Sequence, residues 1–93
     1  MQTAQTIQTI QMVAIKSKVD GKIHALPKPA RHPNVIKMMV QLGYPTPILG
    51  EQGFITSDGV FVNRLEAKVI AKAANQLLPR ASKLDQLFSE DVW

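Results

Sequence analysis

Two Asp-Gly pairs, Asp20-Gly21 and Asp58-Gly59, each set between short apolar segments, constrain this chain more than any other feature. Asp-Gly is a strong short-range hairpin signal, because a two-residue type I′ turn needs positive φ at both central positions. Before the first pair Val13, Ile15 and Val19 alternate with polar residues, and Lys22-Ile23-His24-Ala25-Leu26 follows it. Around the second, Gly53-Phe54-Ile55-Thr56-Ser57 leads in and Val60-Phe61-Val62 leads out, with Phe54, Val60 and Val62 expected on one face. The chain is therefore expected to contain two β-hairpins.

Each hairpin is followed by a helical pattern. Val35, Ile36, Met39 and Leu42 predict a helix from about Pro33 to Leu42, stopped by Gly43 and Pro45. Asn63 and Glu66 have capping-box spacing and open a second helix, expected over 63–78, which Pro79 ends. Its buried stripe is expected to be Leu65, Val69, Ala73 and Leu77, flanked by Ile70 and Ala74, with Arg64, Lys68 and Lys72 as a basic outer stripe. Repetition of hairpin then helix predicts an α+β fold: two β-hairpins forming a small antiparallel sheet packed with two helices. Residues 12–93 are expected to be a single domain, preceded over 1–11 by a Gln/Thr repeat that reads as a flexible tail or an edge strand.

Composition narrows the function classes. With no cysteine and two isolated histidines, neither a disulfide scaffold nor a metal site is expected, and no cofactor is implied. No apolar run approaches the roughly 20 residues that cross a bilayer, and the N-terminus lacks a signal peptide's pattern, so a soluble intracellular protein is expected. The net charge of +4 is uneven: residues 1–50 carry six basic side chains against Asp20 alone, whereas residues 51–93 carry five against six acidic ones. A basic first half suits an anionic partner, or is simply a solvated lysine surface. Basic and aromatic residues do not interleave, so nucleic acid is the runner-up to a smaller anion.

The segment Pro27-Lys28-Pro29-Ala30-Arg31-His32-Pro33-Asn34 is expected to be a stiff, extended lead-in that aims Arg31 and His32 at a helix start. Free N–H groups and the dipole at a helix N-terminus favour a phosphate or carboxylate, and an arginine fork grips either bidentately. The competing reading has Arg31 paired with Glu51 or Asp58, and His32 as a simple cap. Arg64 and Trp93 are further ligand-binding candidates, as a second subunit's contribution in a homo-oligomer, and Gln52 and Phe54 complete the set. Trp93 would dock on its own fold, dock on a neighbour, or wall a ligand pocket. Asp58, Ser57 and Glu66 are explained by turn and cap chemistry, His24 by a structural role in a strand, and no catalytic constellation stands out. An enzyme is not expected.

Three stretches carry a family resemblance: Leu26-Pro27-x-Pro29-Ala30-Arg31-His32; Gly50-Glu51-Gln52-Gly53-Phe54-x-x-Ser57-Asp58-Gly59-x-Phe61-Val62-x-Arg64-x-Glu66-Ala67; and Leu87-Phe88-Ser89-Glu90-Asp91-Val92-Trp93. In these the chain resembles a group of short, mostly uncharacterised proteins encoded by tailed bacteriophages and prophages. In that group the arginine is usually followed by two histidines, and here Pro33 replaces the second. The resemblance implies a small phage protein made in the host bacterial cytoplasm, often an accessory acting against host defence. Two mechanisms suit that setting: a sponge that sequesters a nucleotide-derived immune signal without cleaving it, and an inhibitor of a host defence protein, as an anti-CRISPR is. The basic half, Arg31-His32 and the terminal aromatic favour the sponge.

Overall fold

In a computed structural model that describes residues 8–93, both hairpins and both helices are present, in the order β1 (Ile10–Ser17), β2 (Ile23–Pro27), α1 (His32–Gln41), β3 (Gly50–Thr56), β4 (Phe61–Asn63), α2 (Arg64–Ala73). Residues 1–7 of the Gln/Thr repeat lie outside the described residues, and β1 begins at Ile10. The strands form one antiparallel sheet in the order β2-β1-β3-β4. Fold class therefore follows the two Asp-Gly signals.

The turns themselves differ from the expected type I′. Only the glycines have positive φ, 72° at Gly21 and 79° at Gly59. The first connection closes with Ser17 N–H donating to the Lys22 carbonyl at 2.9 Å, around a longer loop. In the second, Gly59 N–H donates to the Thr56 carbonyl and Thr56 N–H to that of Val60, the pattern of a type I turn followed by a left-handed glycine. The aspartates serve as acceptors instead: Asp20 Oδ1 takes the Lys22 N–H at 3.0 Å, and Asp58 Oδ1 the Thr56 hydroxyl at 2.7 Å. The extra turn residue leaves Val60 exposed at the tip, so it does not share a face with Phe54 and Val62, which pair directly.

Alternation along the paired strands puts Val13, Ile15, Leu26, Gln52, Phe54 and Val62 on one face of the sheet. Against Val13, Ile15, Phe54 and Val62 pack Val35 and Met39 of α1 and Ala67 and Ala71 of α2, forming a single buried cluster. Leu42 is 61% exposed and serves only as the C-cap of α1, where Gly43 turns away at φ 99°. The expected extended lead-in to α1 is a turn, closed by Ala30 N–H on the Pro27 carbonyl at 3.1 Å.

The second helix departs further from expectation. It ends at Ala73 because Asn75 adopts left-handed geometry at φ 56°, with Gln76 N–H reaching the Ala71 carbonyl and Asn75 N–H that of Lys72, a Schellman stop. Gln76 then clamps the Ile10 backbone, accepting from its N–H at 2.6 Å and donating to its carbonyl at 3.1 Å. The expected stripe is also rotated: Leu65 and Val69 are 53% and 69% exposed, Ala73 is exposed as well, and Ala67 and Ala71 face the sheet instead. Small side chains let α2 lie close to the strands, and Leu87, from the chain beyond α2, fills the neighbouring core.

That last segment folds back over its own domain. Asp91 is buried, and its carboxylate accepts the backbone N–H groups of Ser82 and Phe88, both at 2.9 Å, while its carbonyl takes that of Leu78. Leu87 N–H is bonded to the Arg64 carbonyl at 3.0 Å. These bonds fix residues 78–93 beside the first turn of α2.

Candidate anion-binding cleft

Both helices begin beside Gly53 of β3, which pairs with Asn63 and accepts a hydrogen bond from His32, and each brings an arginine there. Arg31 is the N-cap of α1, in extended conformation, with its N–H bonded to Asn34 Oδ1 at 2.8 Å. Arg64 is the first residue of α2, whose cap Asn63 accepts the Glu66 N–H at 2.9 Å while Glu66 takes the Asn63 N–H at 3.0 Å. The two guanidinium groups line one cleft of about 240 Å³, together with His32, Gln52, Ser89 and Glu90.

Neither arginine is fully satisfied within the fold. Arg31 Nη2 donates to the Trp93 carbonyl at 2.5 Å, but Nη1 is buried and, among the described residues, has no partner. Arg64 lies over the Phe88 ring at 5.0 Å, a cation-π contact that orients the guanidinium, while its Nε is buried and likewise unpaired. A buried donor without an acceptor costs about 1–3 kcal/mol, more when charged, so each guanidinium beside this cleft keeps unmet hydrogen-bonding capacity. Against these two cationic side chains the lining sets one acidic side chain, the exposed Glu90.

His32 is buried and donates from Nε2 to the Gly53 carbonyl at 2.8 Å, which assigns the tautomer because a carbonyl can only accept. Burial pushes its pKa below the ordinary value; the Gly53 bond opposes that, and the positive charge of Arg64 adds to it. A neutral imidazole therefore joins β3 to the start of α1. Its ring packs edge-on against Phe54 at 5.0 Å between centroids.

Of the six residues expected to bind a ligand, Arg31, His32, Gln52 and Arg64 meet in the cleft, all from one chain. Phe54 is fully buried behind His32, so it shapes the site from the core. Trp93 also stands behind the lining: its Nε1 donates to the Ala30 carbonyl at 2.8 Å, its carbonyl holds Arg31, and its ring meets Phe54 edge-on at 6.5 Å. It docks on its own fold. Arg31 pairs with neither Glu51 nor Asp58; Asp58 is occupied by Gln8 and Thr56. His24 is tied to Tyr44, whose hydroxyl accepts from Nε2 at 2.7 Å and donates to Asp20, pinning the loop after α1 to the first hairpin.

Sequence reasoning passed over Phe88, Ser89 and Glu90 as part of the lining, and Asp91 as the group that positions them. The available signal was an aspartate embedded among Leu87, Phe88, Val92 and Trp93, since a carboxylate in apolar company is held by specific donors. Among the described residues no group of His, Asp and Glu is placed to hold a metal ion, and no helix is long and apolar enough to cross a membrane.

A family model described as Phage T4 y16D protein matches residues 9–93. No curated protein and no solved structure matches the chain.

Proposed function

We propose that this chain, which belongs to the phage T4 y16D protein family, binds a phosphate-bearing small molecule in the Arg31–Arg64 cleft and sequesters it without cleaving it. The observation that carries the reading is that two arginines, one from each helix start, line one concavity and each keeps a guanidinium N–H without a partner among the described residues. Two charged donors fixed by Trp93 and Phe88 are preorganised for an anion, so little side-chain ordering is lost on binding. Phosphate suits the arginine fork better than lysine-type point charges would.

The lining argues for holding rather than reacting. His32 spends its one ring proton on Gly53, Gln52 and Ser89 are neutral, and Glu90 has no general-base partner beside it. In a phage protein, capture of a nucleotide-derived immune signal fits such a site. Incubation with a panel of cyclic and linear nucleotides should deplete one class from solution, and heating the mixture should return it intact. Recovery of a product would instead mean an enzyme, and a panel left entirely free in solution would remove the sponge.

A second reading has one observation on its side. Leu65, Val69 and Leu84 are exposed among Lys68, Lys72 and Lys83, a surface suited to occupying an acidic patch on a host protein. Under that reading nucleotides stay free, and substitutions on this patch abolish activity while Arg31 and Arg64 are dispensable.

A further inference from the structure

A second concavity, of about 440 Å³, adjoins the arginine cleft, and Gln52 and Arg64 line both. It exists because β4 is short. β4 pairs with β3 only from Gly53 to Ile55, so Gly50, Glu51 and Gln52 have β1 on one side and this chamber on the other. The strand edge left open there offers main-chain hydrogen-bonding groups. The remaining polar lining is Asn63 and Gln86. Asn63 commits its Oδ1 to the Glu66 N–H at 2.9 Å, so its amide nitrogen remains as a donor.

The two chambers differ in charge. The arginine cleft pairs two guanidinium groups with one carboxylate. The second chamber's lining holds one acidic and one basic residue, Glu51 and Arg64, and its other polar side chains are the neutral amides of Gln52, Asn63 and Gln86. A carboxylate repels a further phosphate but accepts hydrogen bonds from sugar hydroxyls, which is how acidic residues hold ribose elsewhere. Size points the same way. At about 240 Å³ the arginine cleft is below the roughly 300–1,000 Å³ usual for a whole small-molecule ligand, so a molecule anchored there by phosphate extends past Gln52 and Arg64.

Resting on the phosphate reading of the cleft, we propose that the chamber at the open edge of β3 is a nucleoside subsite, with Glu51 accepting from the ribose hydroxyls and Asn63 and Gln86 meeting the base. The ligand is then a ribonucleotide rather than a bare phosphate or a polyphosphate chain.

Calorimetric titration of the full chain with inorganic phosphate, the four ribonucleoside monophosphates and their 2′,3′-dideoxy counterparts tests this. At least one ribonucleotide should bind roughly 10-fold or more tighter than phosphate, the range for hydrogen bonds to a charged group. Removing the hydroxyls, or Glu51→Ala, should each cancel most of that gain, and together do little more than either alone. Phosphate should bind Glu51→Ala at least as tightly as the wild type, since the carboxylate removed repels the anion, and Glu51 is exposed, so folding is not at stake. Equal affinity for phosphate and every ribonucleotide would overturn the subsite while leaving the cleft intact. So would an undiminished gain in Glu51→Ala or in the dideoxy series. Failure of phosphate and all nucleotides to bind would remove the cleft reading itself.

Discussion

The chain repeats one unit, hairpin then helix, and the two copies use their helices in different ways. In the first, α1 buries Val35 and Met39 against the sheet, and its apolar periodicity identifies the buried face. In the second, α2 buries only Ala67 and Ala71 and leaves Leu65 and Val69 in solvent. The difference is made up by Leu87, which enters the core from outside either unit. Both helices nevertheless begin with an arginine at the same cleft. Helix periodicity finds a core face only where the helix supplies the core alone. Where a later segment shares the work, the small residues turn inward.

The comparison breaks most visibly in the core. Phe54→Ala, at the fully buried centre where both units meet, should cost about 3–5 kcal/mol in denaturant unfolding. Leu87→Ala should cost about 2–5 kcal/mol, as for any buried leucine, if the last segment truly completes the second unit. A loss below about 0.5 kcal/mol would mean that this segment is only draped over the surface.

Smaller effects sharpen the contrast. Stability should decline as pH falls below about 6.5, because the unfolded chain then binds a proton that neutral, buried His32 refuses in the fold. The folded pKa is the lower one, so this contribution is complete above that window and is lost on acidification. The slope cannot exceed about 1.4 kcal/mol per pH unit for one proton. His32→Gln should flatten it, read from unfolding midpoints across the pH range. Asn63→Ala, which removes the α2 cap, should cost about 1 kcal/mol. Val69→Ser should change stability by less than about 0.5 kcal/mol, since that side chain is 69% exposed.

These residues also show what a reader of the sequence can and cannot find. Asp20-Gly21 and Asp58-Gly59 located both hairpins, because a left-handed glycine is needed in either turn type. They did not fix loop length, which depends on where the aspartate side chains find donors, and so Val60 was misplaced. Asn63 and Glu66 located the start of α2 by local chemistry. Its end and its buried face depended on Asn75, Gln76 and Leu87, whose partners lie far along the chain. Arg31 and His32 stood out because Pro33 marks a helix start beside them. Their meeting with Arg64 and Gln52 is a property of the sheet order, which no local pattern encodes.

The central claim is that the two arginines form one anion site, and titration of pyrophosphate into the wild type, Arg31→Ala and Arg64→Ala measures it directly. The wild type should bind, each alanine variant should lose roughly 10- to 100-fold in affinity, the range for a charged hydrogen bond, and Arg31→Lys should recover only part. Unfolding midpoints of the same samples separate a lost contact from a lost fold. Wild-type affinity in a folded Arg31→Ala or Arg64→Ala variant, or no binding by the wild type, would contradict the account and leave the cleft as the place where two helix starts happen to meet.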